Sequence, residues 1–375
     1  MEIIEKLNDF TDNEFIAKPT EFSINEGHSF DVSNKIINIE LGFVDAEFSK
    51  IRFHSCIFKK PFVIINSEVY ENFEFTDCTF ENDFILKNVT IKGAARFWSS
   101  KFITSFKINN VRFEKLADFY QTIFTNTLIL YKVDFMGTAV FTESHFKDSI
   151  LFTYTKISEF LLFTRTVFEK GVDLSLALIT GNVIYFDSKI NSYPDYKIDS
   201  HLNHHQYIVA VEENGKIPIS NKLETYRILK KHAKNSNNQF LAIRFAKEET
   251  ETYSKILELK SKNIDSKGIF LLNRISNNHT TSWTLGILFT VTVGIIFFYL
   301  AMISSSSYSA EFSILNWSDF KEMINKYLIF LLPTHKFDDL YPNNSNPLVL
   351  IFDILGRIFI GYGIYQTIQA FRKYT

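Results

Sequence analysis

Bulky apolar residues recur at alternating intervals of five and six residues in the first half of this 375-residue chain. In the stretch ADFYQTIFTNTLILYKVDFMGTAVFTESHF, residues 117–146, they are Phe119, Phe124, Leu130, Phe135, Phe141 and Phe146. Neither the period of an α-helix nor the two-residue period of a lone strand gives this spacing. The spacing indicates an 11-residue unit that occurs thirteen times between about Ile51 and Ser192.

Each unit contains one small or β-branched residue, followed two positions later by Phe or a β-branched aliphatic residue. The small residues are Cys56, Ser67, Cys78, Val89, Ser100, Val111, Thr122, Val133, Ser144, Thr155, Thr166, Ala177 and Ser188. The bulky residue three positions before the small one alternates between Phe and an aliphatic residue, from Phe53 and Ile64 to Leu130 and Phe141. This alternation makes the true unit 22 residues long.

Residue volumes also compensate within the 22-residue unit. Ala95, Ala117 and Ala139 lie two positions before phenylalanines, whereas Phe84 and Phe106 lie two positions before aliphatic residues. Complementary volumes at fixed offsets are typical of a close-packed interior.

These patterns predict an all-β solenoid. Residues two apart in an extended segment point to the same side, so two inward residues on each of four faces account for one coil. About six and a half coils at a spacing of about 4.8 Å make a rod on the order of 30 Å long. Cys56 and Cys78 are predicted to be reduced, small interior side chains. The predicted core ladders are Phe53, Phe75, Phe97, Phe119, Phe141 and Phe163, and Phe80, Phe102, Phe124 and Phe146.

The stretches ADFYQTIF, VDFMGTAVFTESHF and CTFENDFILKNVT resemble the A(D/N)LXX unit of the pentapeptide-repeat family, with Phe in the central place. The resemblance covers residues 41–193 and implies a right-handed quadrilateral β-helix. The chain departs from the family in having a 22-residue rather than a 20-residue coil. Before Ile51 the register slips by one residue, and residues 1–40 are predicted to form an N-terminal cap over the open end.

Some pentapeptide-repeat proteins are rod-like DNA mimics that bind topoisomerases, which requires a strongly acidic face. Between Phe43 and Tyr193 this chain has 17 acidic and 17 basic residues, and its net charge is −2. A neutral rod does not imitate DNA, and nothing in the charge points to nucleic acid as a partner.

Residues 194–276 are predicted to be a linker and a cytosolic helical hairpin. The linker contains His201, His204 and His205, but no Cys or carboxylate stands at a convincing ligand spacing, so we predict a solvated linker and no metal or cofactor. Ser220 is the expected N-cap of the first helix, and NSNN at 235–238 the expected break.

The hairpin also resembles the adaptor between repeat and membrane segments in membrane-bound pentapeptide-repeat proteins. The resemblance rests on a Tyr-Arg-x-Leu-Lys helix followed by Asn238, Ala242, Phe245 and Glu248. It implies a collar that couples the rod to the membrane. The alternative interpretation is a solvated, charged helix pair.

Residues 277–375 are predicted to be a transmembrane region. Segment 282–303 has 22 residues without a charge, and segment 347–370 has 24 residues that are mostly apolar. Both are long enough to cross a bilayer, whereas the segment between them, 316–333, has too short an apolar run and is expected to be re-entrant or interfacial. Basic residues flank the two spans on one side, and we find no signal peptide, so both termini are predicted to be cytosolic.

Asp353 and Arg357 are the candidate functional pair. Charges within a span are costly and usually face a protein interior or a water-filled path, and residues four apart share a helix face. The pair is therefore either a pore-lining or gating element, or an ion pair that only locks helix packing. Gly361-Tyr362-Gly363 is not expected to be a potassium filter, because no further span follows it.

The layout of span, re-entrant-like segment and span resembles the channel-like region of membrane-bound pentapeptide-repeat proteins, with IYQTIQAFRKY and LPTHKFDDL as its closing segments. The resemblance implies a homo-oligomeric, pore-forming protein of the bacterial inner membrane, with membrane permeabilisation during phage defence as one context. The alternative is a membrane-tethered scaffold whose solenoid recruits a cytosolic protein partner. No catalytic motif was found, so an enzyme is not predicted.

Overall fold

The computed structural model describes residues 1–16, 27–197, 203, 206, 209, 216–259, 264–279, 281–305, 317–342 and 346–372. The chain divides into two compact units, Met1–Glu249 and Thr250–Thr375. The first unit contains the strands, and the second contains most of the helices.

A short 3-10 helix, Leu7–Asp9, lies among the 27 strands found in the described residues. The strands are β1 (Glu2–Ile4), β2 (Phe15–Ile16), β3 (His28–Ser33), β4 (Lys35–Ile37), β5 (Leu41–Val44), β6 (Glu47–His54), β7 (Ile57–Phe58), β8 (Phe62–Val69), β9 (Phe73–Thr76), β10 (Thr79–Phe80), β11 (Phe84–Ile91), β12 (Ala95–Arg96), β13 (Lys101–Phe102), β14 (Phe106–Phe113), β15 (Ala117–Asp118), β16 (Ile123–Phe124), β17 (Leu128–Phe135), β18 (Ala139–Val140), β19 (His145–Phe146), β20 (Ile150–Thr153), β21 (Lys156–Ile157), β22 (Phe160–Thr164), β23 (Val167–Phe168), β24 (Val172–Asp173), β25 (Leu178–Ile179), β26 (Asn182–Phe186) and β27 (Lys189–Ile190).

The α-helices of the described residues follow the strands in the sequence. They are α1 (Ile219–Asn235), α2 (Gln239–Leu259), α3 (Ile264–Asn277), α4 (Trp283–Ser304), α5 (Trp317–Phe330), α6 (Phe337–Leu340) and α7 (Pro347–Arg372).

The strands form a parallel β-solenoid of about seven turns with about 22 residues per coil, which confirms the predicted fold class. Nine strands make one face as a single sheet, and an 18-stranded sheet bends around the rest of the coil. Successive coils pair in register, so that Phe84 pairs with Phe62 on one side and Phe106 on the other. Each coil has four inward pairs, which in the coil from Cys56 are Cys56 and Phe58, Phe62 and Ile64, Ser67 and Val69, and Phe73 and Phe75.

The predicted phenylalanine ladders are present. The ring centroids of Phe97 and Phe119 are 4.8 Å apart, as are those of Phe119 and Phe141, and in both pairs the ring planes lie within 2° of parallel. In the second ladder, Phe102 and Phe124 are 5.3 Å apart. The remaining predicted members, Phe53, Phe75, Phe163, Phe80 and Phe146, are also at most 1% exposed.

Inside the solenoid, positions with small alanines alternate with positions with large phenylalanines, as the sequence indicates. Ala95 pairs with Ala117 on the neighbouring coil, and both are buried. Phe106 packs edge-to-face on Phe97, with centroids 5.6 Å apart and planes at 88°. Such edge-to-face contacts add to the hydrophobic gain of burying the rings.

Buried hydroxyl groups bridge successive coils inside the solenoid. Each donates a hydrogen bond to the carbonyl of the bulky residue 25 positions earlier, at 2.5–2.9 Å. A buried hydroxyl without a partner costs about 1–3 kcal/mol, so these bonds explain why Ser and Thr are tolerated in an apolar core. The donor and acceptor pairs are Ser100 and Phe75, Thr122 and Phe97, Ser144 and Phe119, Thr166 and Phe141, and Ser188 and Phe163.

Left-handed residues form a corner in every 11-residue unit from Ser55 to Arg165. Asn66, Asn88 and Asn110 have φ between 49° and 54°, a region that Asn tolerates better than most residues. Their side chains stack, since Asn88 Nδ2 donates to Asn66 Oδ1 at 2.8 Å and Asn110 Nδ2 donates to Asn88 Oδ1 at 2.9 Å.

The same corners locate the slip in the repeat. Asp45 and Ser55 both have positive φ but are only ten residues apart. Strand pairs before this point are offset by 21 residues, as Leu41 and Phe62 are, whereas later pairs are offset by 22. The predicted one-residue slip before Ile51 is therefore confirmed.

Lys132 continues the Asn corner with φ 53° but has a side chain poorly suited to it. We expect Lys132→Asn to raise the free energy of unfolding by about 0.5–1 kcal/mol, because Asn adopts this region at lower cost and extends the amide ladder above Asn110. Urea unfolding followed by fluorescence is the measurement. Lys132→Ala is the control and should not stabilise the protein; equal stabilisation by both changes would contradict the explanation.

The solenoid begins earlier than predicted. β3 pairs in parallel with β6, placing Val32 against Phe53, so the first coil includes residues from the predicted cap at 1–40. The slip hides this coil from the 11-residue pattern. β2 lies over this first coil and pairs antiparallel with β3. The ring centroids of Phe15 and Phe30 are 4.4 Å apart, and the two rings are stacked.

Helix α1 covers the last coil. Thr225 Oγ1 accepts a hydrogen bond from the backbone N–H of Leu174 at 2.9 Å, and His232 Nδ1 accepts one from the N–H of Val183 at 3.3 Å. Burial lowers the pKa of His232, which favours the neutral imidazole that this bond requires. These side chains satisfy strand-edge donors that would otherwise be open to pairing with another chain.

The predicted helical hairpin is present, with one error in its start. The N-cap of α1 is Pro218, not Ser220, which lies inside the first turn. The helix begins early because the Ile219 N–H donates to the Tyr196 carbonyl at 2.8 Å and ties this backbone to the preceding segment. The break at 235–238 is confirmed, since α1 ends at Asn235 and α2 begins at Gln239. His201, His204 and His205 lie outside the described residues.

Candidate functional site

Helices α4 and α7 have the length and composition of membrane spans, with mean hydropathies of 2.4 and 1.8. They begin and end within two residues of the predicted segments 282–303 and 347–370. Much of their outer surface is apolar and exposed, as at Leu288 and Ile358. Large exposed apolar surfaces mark contact with a membrane or another protein.

Glycines bring the two helices into close contact. A Cβ atom at Gly286 would lie 2.4 Å from the hydroxyl oxygen of Thr367, and one at Gly363 would lie 2.3 Å from that of Thr290. Gly361, by contrast, has open space around it. Gly363 therefore serves the helix contact that small residues permit in membranes.

The predicted pair, Asp353 and Arg357, is formed on α7. Arg357 Nε donates to Asp353 Oδ2 at 2.7 Å. Asp353 is 1% exposed and faces the other helices, whereas the side chain of Arg357 is 29% exposed. The carboxylate is thus enclosed within one chain, and only the guanidinium reaches its surface.

A third residue, His335, completes the cluster and was not predicted. His335 Nε2 lies 2.7 Å from Asp353 Oδ1, and the side chain of His335 is also 1% exposed. His335 follows α5, where the sequence LLPTHKF offers no charge spacing that would connect it with α7. Its only sequence signal is a polar ring directly after an apolar run.

The hydrogen-bond partners of His335 set the charge of the cluster. Nδ1 lies 2.7 Å from the carbonyl oxygen of Leu332, so this nitrogen must carry a proton. Nε2 faces a carboxylate oxygen, so one more proton lies between His335 and Asp353. Whichever group holds that proton, the cluster of His335, Asp353 and Arg357 carries one net positive charge.

Helix α5 brings His335 to α7 by packing against both candidate spans. The Tyr327 hydroxyl donates to the backbone carbonyl of Val291 on α4 at 2.8 Å. Phe330 is fully buried, with its ring 5.5 Å from that of His335, and it fills space that a Cβ at Gly356 would occupy. The end of α5 therefore reaches the middle of both long helices, a geometry compatible with the re-entrant alternative for 316–333.

Helix α3, which was not predicted from the sequence, makes a second polar contact with α7. Asn277 Nδ2 donates to Gln366 Oε1, and Gln366 Nε2 donates to Asn273 Oδ1 at 3.2 Å. The apolar residues Ile269 and Ile275 of α3 are more than half exposed. On α3 the polar face is turned inward and the apolar face outward. This is the reverse of the arrangement on a helix of a soluble domain.

Within the described residues, no group of three His, Cys, Asp or Glu side chains is placed to hold a metal ion. Comparison of the chain with family models, curated proteins and solved structures found no match. The pentapeptide-repeat assignment therefore stays a prediction from the repeat itself. The structure supports the coarser conclusion, which is a β-solenoid protein with two helices suited to spanning a membrane.

Proposed function

We propose that this chain is a homo-oligomer of the bacterial inner membrane whose β-solenoid binds a cytosolic signal and whose spans form a regulated pore. The observation that supports it is the charged cluster of His335, Asp353 and Arg357, which is built on α7, one of the two membrane-length helices. Charged groups within a membrane-spanning segment are costly and usually serve a transport path. Lys267 and Arg274 before α4, and Arg372 at the end of α7, favour cytosolic termini.

A pore requires several copies, because two spans enclose no conduit. Arg357 is the partly exposed member of the cluster and is the group that a pore shared between copies would expose. One positive charge from each chain would form a ring that favours anions over cations. Loss of the His335–Asp353 contact would remove the polar link between the end of α5 and α7 and offers a means of gating.

Ion flux from liposomes containing the full chain tests the proposal. We expect chloride to leave faster than potassium, and Arg357→Leu to reduce chloride flux at least tenfold. Lys326→Leu is the control, because Lys326 is a cation of the same unit that pairs with Glu322 rather than with the cluster, and its replacement should leave flux unchanged. No flux from the wild type, or equal flux from Arg357→Leu, would contradict the pore. So would a protein mass in detergent equal to one chain, 43.7 kDa.

The second candidate is a membrane-tethered scaffold whose solenoid recruits a cytosolic protein. It is favoured by the complete pairing of Asp353, whose two oxygens are bonded within one chain, as in a structural lock. Replacing residues 277–375 with an unrelated membrane hairpin separates the two candidates. Retained partner capture and cellular function support the scaffold, whereas retained capture with lost function supports the pore.

A role in phage defence is the cellular context that the family resemblance implies. Cells expressing the protein should then lose membrane integrity during phage infection, as dye uptake would report. The same infection with Arg357→Leu should leave the membrane intact. Uptake that is independent of phage, or identical for both proteins, would contradict this context.

A further inference from the structure

The outer face of α3, formed by Leu271 and Ile275, is apolar and exposed. Leu271 is 57% exposed and Ile275 is 54% exposed. The two residues are four apart and therefore share one side of the helix. On the opposite side, Asn273 and Asn277 are hydrogen-bonded to Gln366, so α7 holds the polar side of α3. A helix that turns its apolar side away from its own chain is suited to contact with a membrane or another protein.

The contacts of α3 place it near one end of α7. Gln366 lies six residues before the end of α7 at Arg372, which is about 9 Å along the helix axis. With 26 residues, α7 is about 39 Å long, whereas the hydrocarbon core of a bilayer is about 30 Å thick. Gln366 is therefore close to the boundary between the hydrocarbon core and the headgroups. Trp283, which stacks on Phe371 at the same end of α7, is a residue type enriched at this boundary.

Basic residues border the outer face of α3. Lys267 stands four residues before Leu271, and the exposed Arg274 stands three residues after it, so both lie along one edge of this face. The two cations are about 10 Å apart along the helix, and both reach the headgroups only if α3 lies along the membrane surface rather than across the bilayer. Residues 260–274 contain four Lys or Arg and one Asp, a net charge of +3. Basic segments next to a span attract anionic lipids.

We infer that α3 is an interfacial helix that binds the anionic lipid surface of the inner leaflet. Leu271 and Ile275 lie among the acyl chains, and Lys267 and Arg274 contact the lipid phosphates. This role rests on the membrane placement proposed above and adds a partner to it. Because α3 is also bonded to Gln366, the charge of the lipid surface acts directly on α7.

Spin labels on single cysteines of the full chain test the position of α3 in vesicles of equimolar phosphatidylcholine and phosphatidylglycerol. Leu271→Cys carries the label, in a background in which the buried Cys56 and Cys78 are replaced by serine. The collision rates of the label are measured with oxygen, which dissolves in lipid, and with a water-soluble nickel chelate. We expect the ratio of oxygen to nickel collisions to be at least fivefold higher for Leu271→Cys than for Leu178→Cys. Leu178 is the matched control in water, because it is 61% exposed on the solenoid.

Leu288→Cys is the matched control in lipid, because Leu288 is 60% exposed on α4 and should give a ratio as high as that of Leu271→Cys. If Leu271→Cys instead gave the ratio of Leu178→Cys, α3 would face water and the inference would be overturned. Low collision rates with both reagents would overturn it too, because a second copy of the chain or another protein segment would then cover the face. If Leu288→Cys also gave the ratio of Leu178→Cys, the membrane placement of α4 would fail along with that of α3.

Native mass spectrometry of the full chain in detergent micelles tests the preference for lipid charge. We expect phosphatidylglycerol to bind more tightly than phosphatidylcholine. Arg274→Gln should weaken phosphatidylglycerol binding about fivefold, the effect of one cation near an anionic surface. Arg112→Gln is the matched control, because Arg112 is exposed on β14 of the solenoid and its replacement should leave lipid binding unchanged.

Circular dichroism confirms that each variant is folded before its lipid binding is measured. Equal binding of the two lipids, or unchanged binding by Arg274→Gln, would show that α3 does not recognise an anionic surface. Because neither experiment measures ion flux, the lipid contact of α3 and the pore can each fail independently of the other.

Discussion

Replacing Phe119 with alanine is expected to lower the free energy of unfolding by about 3–5 kcal/mol. Phe119 is fully buried and stacks between Phe97 and Phe141, each at 4.8 Å, so its removal leaves a cavity bounded by both neighbours. The coils above and below are fixed by backbone pairing and cannot collapse into the space. Urea unfolding of a Trp283→Phe, Trp317→Phe background measures the loss, because Trp98 then reports on the solenoid alone.

Phe160→Ala is the matched control for this prediction. Phe160 lies in β22 of the same solenoid but is 42% exposed, so its truncation leaves no enclosed cavity. We expect a loss at least 2 kcal/mol smaller than that for Phe119→Ala, about the difference between a buried and a partly exposed ring. Similar losses at the two positions would show that the stacked ladder contributes little to stability.

Replacing His335 with leucine is expected to destabilise the second unit by about 3–5 kcal/mol. The change removes the hydrogen-bond partner of Asp353 Oδ1, and Asp353 is 1% exposed in the wild type, so one oxygen of a buried carboxyl group loses its partner. Unfolding by SDS in mixed micelles measures the effect. Trp283 is the reporter in a background with the other two tryptophans replaced, because its ring stacks on that of Phe371, 5.3 Å away on α7.

A double-mutant cycle isolates the His335–Asp353 contact from other effects of each change. In His335→Leu/Asp353→Leu no buried group is left without its partner across this contact, so we expect a coupling energy of about 2–3 kcal/mol. His54→Leu, at an exposed position of the solenoid, is the control and should change nothing in this assay. Additive losses would show that the two residues act independently.

The solenoid could be predicted in detail because its period directly reports which residues point inward. Phe97, Phe119 and Phe141 are 22 residues apart, and any structure that repeats at this interval stacks them. The hydrogen bonds of Ser144 and Thr166 could not be derived in this way. Their acceptors are backbone carbonyls 25 residues away, and every residue offers a carbonyl.

The second unit, Thr250–Thr375, was less predictable because its important contacts are not periodic. Asp353 and Arg357 are recognisable as a pair from helix geometry alone. His335 meets Asp353 only because α5 packs against α7, and a separation of 18 residues across a loop has no sequence signature. Helix α3 was missed for a related reason, because its exposed apolar and inward polar residues do not form the pattern of a soluble helix.

In-register stacking also makes the solenoid modular in length. A deletion of 22 consecutive residues within β8–β19, such as 97–118, joins Arg96 to Phe119 and keeps every remaining side chain at its own corner or on its own face. Rod height can therefore change only in whole steps of about 4.8 Å, the distance between paired strands. A single inserted residue instead turns inward side chains outward in its own coil. Evolution can thus adjust how far this protein extends by duplicating or losing complete coils, without redesigning its interior.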